Sequence, residues 1–235
     1  MEGVGWRDDA KKRAALEAVT LVEEGQVVGL GTGSTAYYAI EELGRRIRDD
    51  GLNVLGISTS EESTSLAERF GVPLTSLNKH PRVDVAIDGA DQVDGELNLI
   101  KGMGGALTRE KIVDSAARSF VVIVDGTKVT ERLGVGQVVP VEVLPFATEV
   151  VMQRVRALGG DPRLRRVTET TPFVTDNGHY VLDVDFGAIE DGEALERAVK
   201  MLPGVIEVGL FIKLAHIVFV GYEVGVEKRV RRDGK

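Results

Sequence analysis

Residues 26–35, Gln-Val-Val-Gly-Leu-Gly-Thr-Gly-Ser-Thr, decide the fold class of this chain. The apolar segment Gln26–Leu30 predicts a short buried strand, and the glycine-rich segment Gly31–Thr35 predicts a tight turn. A helix is expected from Ala36 to Arg48, because Gly51 lies just beyond its end as a stop signal. A strand, a glycine-rich turn and a helix form the first half of a βαβ unit.

The same alternation of strands and helices continues on both sides of this unit. Further helices are predicted at Asp8–Glu24, Glu61–Phe70 and Ala106–Arg118, and further strands at Leu52–Ser58, Val72–Leu77, Asp84–Ile87 and Phe120–Val124. These strands are continuously apolar, so both faces of their sheet are expected to be covered by helices. The sequence therefore predicts an α/β fold with a Rossmann-like parallel sheet.

The pattern changes after Gln137. The elements predicted there are, in order, a strand at Val138–Val143, a helix at Ala147–Leu158, a hairpin, a helix at Glu193–Met201 and a strand at Val205–Phe211. In the hairpin, Leu164–Val167 merges with Phe173–Thr175 to form the first arm, and Tyr180–Val184 is the second arm. A β-α-β-β-α-β order is ferredoxin-like. We expect residues 138–211 to form this smaller α+β domain, inserted into a Rossmann-like domain of residues 1–137 and 212–235 whose last strand is His216–Tyr222.

Composition and charge limit the classes of partner. The net charge of −8 disfavours general affinity for nucleic acid, and the absence of cysteine excludes disulfides and thiolate metal sites. Neither an apolar signal segment at the N-terminus nor an apolar run of membrane-spanning length is present in the sequence. The basic run Lys228–Arg232 is interpreted as a solvated terminus or a contact between subunits. We expect a cytoplasmic enzyme or binding protein without nucleic-acid or membrane partners.

The segment Gly29–Ala36 is a candidate phosphate site. Its small residues let the backbone approach an anion, the hydroxyls of Ser34 and Thr35 can donate, and the following helix presents its positive end. It is not a dinucleotide fingerprint, because Ser34 stands where the third glycine belongs and Ser58–Ser60 lacks the acid that holds a ribose. It is not a P-loop either, and a tight turn without a ligand is the alternative.

Three acids follow the predicted strand Asp84–Ile87 at three-residue intervals: Asp88, Asp91 and Asp94. Carboxylates at a strand end could bind a polyol, hold a metal or form a surface turn, and Asp94-Gly95 is most simply a turn. The spacing does not match a calcium loop, and the three histidines are scattered at His80, His179 and His216. A metal site is therefore disfavoured.

Lys101 and Glu110 are the remaining candidates for chemistry. Lys101 precedes Gly102 and Gly104, so its charge and their backbone amides could surround one anionic oxygen; a solvated side chain is the alternative. Glu110 shares a helical face with Ala106 and Val113. Desolvation by such small apolar neighbours would raise the pKa of Glu110 toward that of a useful general base, and an ordinary surface acid is the equal alternative.

Six ordered blocks resemble the A-type ribose-5-phosphate isomerase family along nearly the whole chain: GLGTGSTA (29–36), DGADQVD (88–94), KGMGGALTREKI (101–112), VPVEVLPFA (139–147), VTDNG (174–178) and LPGVIEVGLF (202–211). The resemblance implies reversible conversion of D-ribose 5-phosphate to D-ribulose 5-phosphate without metal or nucleotide cofactor. It also implies a Rossmann-like domain carrying a ferredoxin-like one, in a homodimer or homotetramer.

Carried over by position, the resemblance implies that Glu110 is the proton acceptor. It implies substrate contacts from four segments: Thr32, Gly33, Ser34 and Thr35; Asp88, Gly89, Ala90 and Asp91; Lys101, Gly102, Met103 and Gly104; and Lys128. We expect Asp88, Asp91 and Lys101 to share the catalytic work. Two positions depart from the family pattern, because Gln92 stands where a glutamate is usual and Met103 where a glycine is usual.

Two other classes of function compete with the isomerase. A sugar-phosphate sensor would use the same scaffold without catalysis, but it would normally carry an effector module, and no helix-turn-helix segment is apparent. A nicotinamide-dependent oxidoreductase is weakened by Ser34 and by the missing ribose acid. The block from Lys101 to Glu110 favours the isomerase over both.

Overall fold

The computed structural model of the chain describes residues 5–231. The chain divides into two compact units. The first comprises the chain up to Ala90, residues 109–129 and the chain from Leu214 onward, and the second comprises residues 91–108 and 130–213. The predicted domain boundaries at 137/138 and 211/212 stay a prediction. The two units differ from them chiefly in that residues 91–108 belong to the second unit.

Helices and strands alternate along most of the described chain. The α-helices are α1 (Gly5–Val19), α2 (Ser34–Asp50), α3 (Glu61–Phe70), α4 (Leu107–Ser115), α5 (Thr148–Ala157) and α6 (Gly192–Lys200). The strands are β1 (Val27–Leu30), β2 (Leu55–Ser58), β3 (Val83–Asp88), β4 (Gln92–Val93), β5 (Leu99–Ile100), β6 (Ala117–Asp125), β7 (Val139–Val143), β8 (Asp161–Leu164), β9 (Tyr180–Asp185), β10 (Val205–Val208), β11 (Leu210–Phe211), β12 (Ile217–Gly221) and β13 (Val226–Val230). Within residues 5–231, no helix is both long and apolar enough to cross a membrane.

The first unit contains a six-stranded sheet in the order β13-β12-β6-β3-β1-β2, parallel except for β13. Successive residues of a strand face opposite sides of the sheet. Val28 and Leu30 of β1 belong to a buried cluster with residues of α1 and α2, whereas Gly29 lies against Val113 of α4. Helices therefore cover both faces, and the predicted Rossmann-like parallel sheet is confirmed.

The second unit contains a four-stranded antiparallel sheet in the order β10-β7-β9-β8. Together with α5 and α6 these strands give the predicted β-α-β-β-α-β order, so the ferredoxin-like prediction is confirmed. Valine and leucine side chains of β7, β9, α5 and α6 form its buried core. A separate three-stranded sheet in the order β11-β5-β4 belongs to the same unit. Its pairing of β5 with β11 explains why residues 91–108 join the second unit.

The predicted strand Val205–Phe211 is divided at Gly209 into β10 and β11. Gly209 donates its N–H to the carbonyl of Pro140 at 2.7 Å and accepts from the N–H of Lys101 at 2.9 Å. A Cβ atom at Gly209 would overlap the Lys101 carbonyl oxygen. The chain thus changes partner from β7 to β5 where only a glycine allows two backbones to approach so closely.

Three further predictions of secondary structure are wrong. Val72–Leu77 is not a strand, because only Leu74 forms an isolated bridge, to Gly56. Phe173–Thr175 is not a hairpin arm, since β9 pairs with β7 and β8; the turn at Asn177-Gly178 is nevertheless present. The first helix ends at Val19 rather than Glu24. In contrast, α3 lies where it was predicted, and Gly71 is its left-handed cap.

The basic run near the C-terminus is a strand that the sequence did not predict. Residues 226–230 form β13, which pairs antiparallel with β12 at the edge of the six-stranded sheet. Arg229 forms an ion pair with Glu227, and Arg232 lies outside the described residues. Charged side chains are common on edge strands, because they oppose pairing with another chain. Lys228–Arg231 therefore belongs to an edge strand or directly follows it, and its interpretation as a solvated terminus or a contact between subunits stays a prediction.

Candidate active site

The first unit has a topological switch point between β1 and β3. The chain leaves β1 toward the sheet edge at β2 and leaves β3 toward β6, so the two crossovers diverge. In open parallel sheets, ligands bind in the crevice that this divergence opens at the carboxyl ends of the strands. Gly31–Thr35 follows β1 and Asp88–Ala90 ends β3, so two of the predicted substrate segments meet at this point.

Asp88 is fully buried against the turn that follows β1. Its Oδ1 atom accepts hydrogen bonds from the N–H of Thr32 at 3.1 Å and from the N–H of Gly89 at 2.6 Å. Charge-assisted bonds of this kind hold a carboxylate in one orientation. A Cβ atom at Gly31 would overlap Oδ1 of Asp88, so the close approach depends on glycine.

We expect Gly31→Ala to move Asp88 and to destabilise the protein. The added methyl group would overlap the Asp88 carboxylate and backbone, and overpacking of a closed site costs about 1–3 kcal/mol. Thermal unfolding measures the effect. Gly95→Ala is the matched control, because a Cβ atom there would meet no atom within 4 Å. Equal stability of the two variants would contradict the close packing of Gly31 on Asp88.

A hydroxyl network joins the first and second strands at the same edge. Oγ1 of Thr32 lies 2.7 Å from Oγ1 of Thr59 and 2.7 Å from Oγ of Ser60. Thr59 is completely buried, and Ser60 also caps α3 by accepting from the N–H of Ser63. In the sequence, Ser58–Ser60 is distinguished only by the lack of an acid. The pairing of β1 with β2 could have identified these hydroxyls, since it brings the two strand ends together.

The predicted phosphate cradle has the geometry of an open helix start. Gly33 stands at the N-cap of α2 with φ of 98°, and no side chain within the described residues caps the helix there. Ser34 is exposed, while Thr35 is partly buried. The first backbone N–H groups of a helix have no partner inside the helix, and they carry the positive end of its dipole. The backbone of this turn is therefore suited to bind an anion.

Glu110 is 5% exposed, which excludes the alternative of an ordinary surface acid. A Cβ atom at Gly29 would lie 2.7 Å from Cγ1 of Val113, so α4 packs against β1 at this level. Because α4 leads into the parallel strand β6, it runs antiparallel to β1. Glu110 is three residues back from Val113, a rise of about 4.5 Å, and this falls between one and two residues forward from Gly29 along β1, about 3.3 and 6.6 Å. Glu110 is therefore level with Leu30 and Gly31, at the carboxyl end of β1.

An ion pair agrees with this placement of α4. Nη1 of Arg109 lies 3.1 Å from Oε1 of Glu61, the first residue of α3. Glu61 follows the carboxyl end of β2 after a short turn. Arg109, which precedes Glu110 in the chain, is therefore at the carboxyl edge of the sheet. The fourth predicted segment is at this edge too. Lys128 ends the short 3-10 helix Gly126–Lys128, which follows β6 and is capped by the side chain of Asp125.

The predicted residues of the second unit form a separate group. Oδ2 of Asp91 accepts the N–H of Met103 at 3.0 Å, and the N–H of Asp91 donates to the Ile100 carbonyl at 2.8 Å. The Met103 side chain is exposed, so its backbone rather than its side chain contacts Asp91. Asp94 instead closes a turn by accepting from the N–H groups of Glu96 and Asn98, as predicted.

Lys101 is buried rather than solvated. It is 2% exposed, and its Nζ lies 5.5 Å from the centre of the Phe211 ring. A desolvated ammonium group over an aromatic face is stabilised by the ring quadrupole. Its backbone N–H donates to Gly209, so the main chain at Lys101 is held as well. Gly102 follows with φ of 106°, a conformation that favours glycine.

The histidines and the buried Glu142 have structural partners. Glu142 is fully buried in β7 and accepts from Thr175 Oγ1 at 2.9 Å, Asn177 Nδ2 at 3.1 Å and His179 Nδ1 at 2.9 Å. His80 contacts Thr75, and Nδ1 of His216 accepts from the Phe120 N–H. Among residues 5–231, no three His, Cys, Asp or Glu side chains are grouped as metal ligands.

This chain is similar to known proteins along most of its length. Residues 55–225 match the family model of ribose 5-phosphate isomerase A (phosphoriboisomerase A). The chain is 51% identical over 227 residues to a ribose-5-phosphate isomerase A of Methanosarcina acetivorans, covering 96% of each chain. It is 51% identical over 218 residues to the enzyme of that name from Methanothermobacter thermautotrophicus, covering 92% of this chain and 96% of the other.

Two solved structures are also similar. The ribose 5-phosphate isomerase A of Methanocaldococcus jannaschii is 44% identical with a TM-score of 0.91, over 95% of this chain and 99% of that one. A D-ribose-5-phosphate isomerase in complex with phospho-erythronic acid is 39% identical with a TM-score of 0.93, over 96% of this chain and 99% of that one. This chain therefore belongs to the ribose 5-phosphate isomerase A family.

Proposed function

We propose that this enzyme interconverts D-ribose 5-phosphate and D-ribulose 5-phosphate with Glu110 as the group that moves the carbon-bound proton. The observation that carries the assignment is a buried carboxylate level with the carboxyl end of β1, where the Asp88 carboxylate and the open start of α2 also lie. Glu110 as the base, Asp88 as a ligand of sugar hydroxyls and the start of α2 as the anion site thus lie at the edge where parallel sheets bind ligands. The reaction belongs to the non-oxidative pentose phosphate pathway.

The mechanism requires a base and a stabilised oxyanion. Glu110 removes the proton from C2 of the open-chain aldose, the C1 carbonyl becomes an enediolate oxygen, and return of the proton to C1 gives the ketose. In the reverse direction the same carboxylate takes the proton from C1. We assign to Asp88 and Asp91 the binding of sugar hydroxyls, ring opening, and the transfer of a proton between O1 and O2. Lys101, with the amides of the Gly102–Gly104 segment, stabilises the enediolate.

Binding of the phosphate positions the reacting carbons. We assign the phosphate to the segment Thr32–Thr35 at the start of α2, with Lys128 as a further cation. Phospho-erythronic acid, which is bound in one of the similar solved structures, fits the isomerase reaction. Its planar carboxylate resembles the delocalised charge of an enediolate, and its phosphate is at the other end of a hydroxylated chain. Ligands that resemble a transition state bind more tightly than substrates do.

The test is exchange of the C2 proton of ribose 5-phosphate in deuterated water, followed by NMR with metal chelated and no nucleotide added. We expect ribulose 5-phosphate to form with incorporation of solvent deuterium. Saturable binding of ribose 5-phosphate without turnover would instead identify a sugar-phosphate sensor. Saturable binding of a nicotinamide nucleotide would favour an oxidoreductase. Either result would overturn the isomerase proposal.

We also propose that the enzyme is a homodimer or homotetramer. Phe146 is fully exposed in the second unit, and Leu144 and Met201 are exposed in the same unit. The N–H of Leu144 donates to the Gly204 carbonyl, which brings the two exposed segments together. Exposed apolar patches of this kind are typical of protein interfaces.

A cytoplasmic location is proposed as well, because pentose phosphates are anions that do not cross a bilayer unaided.

We expect Phe146→Asp to convert the assembly to smaller species, because a carboxylate is costly to bury in an apolar interface. Sedimentation velocity over a concentration series measures the change. Val224→Asp is the matched control, since Val224 is 90% exposed but belongs to the first unit. An assembly state that Phe146→Asp leaves unaltered would show that Phe146 is not at an interface.

A further inference from the structure

Arg165 in the second unit contacts the backbone of the Lys101–Gly104 segment. Its Nη1 atom donates to the carbonyl of Gly102 at 3.0 Å and to the carbonyl of Met103 at 2.9 Å. The Arg165 side chain is only 12% exposed. Two consecutive carbonyls are therefore directed to one partly buried guanidinium group.

This contact, together with the turn hydrogen bond from the N–H of Gly105 to the Gly102 carbonyl at 3.0 Å, holds the orientation of the peptide units in the segment. In a trans peptide unit the carbonyl and the N–H that share it point in opposite directions. The Gly102 carbonyl faces Arg165, and the N–H of Met103 in the same peptide unit donates to Asp91. The Met103 carbonyl also faces Arg165, so the N–H of Gly104 is directed to the Asp91 side as well. Successive N–H groups that point to one side can bind an anionic oxygen.

Arg165 is itself held in one orientation. Its Nε donates to Oδ2 of Asp183 at 2.9 Å, and its Nη2 donates to Oδ1 of the same carboxylate. Its guanidinium carbon lies 5.6 Å from the centre of the Phe173 ring. Phe173 fills the space beside Gly105, where a Cβ atom would overlap the ring. A planar fork is required to reach the carboxylate and both carbonyls at once, and lysine cannot supply it.

We propose that Arg165 is a positioning residue that orients the Met103 and Gly104 amides and the Asp91 carboxylate for the enediolate. The proposal rests on the proposed isomerase function. Arg165 touches no reacting atom in this role and acts through the backbone of the Lys101–Gly104 segment. Loss of the guanidinium should reduce turnover more than substrate binding, because the orientation matters most when charge develops on the substrate oxygen.

The test compares Arg165→Lys and Arg165→Ala with Arg163→Ala. Arg163 is the matched control, since its side chain is 81% exposed on the neighbouring strand β8. We expect the Arg165 variants to lose about 10- to 100-fold in kcat, with a much smaller change in KM. The affinity for phospho-erythronic acid should fall in parallel with kcat/KM, and added ethylguanidinium should restore part of the activity of Arg165→Ala.

Amide hydrogen exchange and the thermal midpoint together distinguish a positioning role of Arg165 from a role in the stability of the whole protein. Amide hydrogen exchange at Met103 and Gly104 should accelerate in Arg165→Lys while the thermal midpoint changes little. Unchanged exchange at these amides, or a loss of activity proportional to the loss of folded protein, would overturn the proposal. If wild type did not isomerise ribose 5-phosphate, the proposed function would fail, and hydrogen exchange would still decide whether Arg165 orients these amides.

Discussion

Glu110→Gln is expected to lower turnover by about 10²–10⁴-fold, the usual contribution of a positioned general base. Glutamine has nearly the same shape, so the packing of α4 is retained, but its amide cannot accept the C2 proton. The rate of ribulose 5-phosphate formation and the rate of C2 proton exchange should fall together. KM should change little, because the ground-state contacts of the substrate are assigned to other residues.

Asp114→Asn is the control for this result. Asp114 is a buried carboxylate on the same helix, 2% exposed, and it has no proposed role in catalysis. A thermal melt of each variant reports any loss of folding. Near-normal turnover in a folded Glu110→Gln variant would contradict the assignment, and equal losses in both variants would show that only the buried charge matters.

Lys101→Met is expected to have the second large effect, a loss of about 10²–10³-fold in kcat, which is typical when one group that stabilises an oxyanion is removed. Methionine can occupy the space above Phe211 without the ammonium charge. Lys101→Arg should recover only part of the activity, because a guanidinium is not a compact point charge. Steady-state kinetics with ribose 5-phosphate measures both variants.

Lys200→Met is the control for the removal of a lysine charge in the same unit, since Lys200 is exposed on α6 and pairs with Glu207. Exposed ion pairs contribute about 0–1 kcal/mol, so this variant should be nearly normal. A Lys101→Met variant with unchanged kcat and raised KM would assign Lys101 to substrate binding instead of the stabilisation of the enediolate.

Local patterns in the sequence predicted the helices and strands well where both ends carried signals. α3 is an example, because Ser60 caps its start and Gly71 its end. The predictions failed where an apolar segment pairs with its neighbour at a single bridge, as at Val72–Leu77, or where the chain changes partner, as at Gly209. Strand pairing is decided by distant residues, so a single segment does not reveal it.

For the candidate site, residue types and spacing were sufficient to select Asp88, Asp91, Lys101 and Glu110, because carboxylates, a lysine and glycines are concentrated in one segment. Burial was not visible in the sequence, and the alternatives for Lys101 and Glu110 remained open until the structure showed both side chains to be buried. The resemblance to a family identified the reaction, which the residue types alone could not do.

What the sequence determined by itself was the alternation of elements, the turn after β1 and the chemistry available near Lys101 and Glu110. Only the tertiary structure decided which groups meet. The pairing of β1 with β2 brought Thr59 and Ser60 to Thr32, and the fold of the second unit brought Arg165 to the carbonyls of Gly102 and Met103. These contacts join residues that are far apart in the chain, and they exist only because hydrophobic burial and backbone pairing fix the whole fold.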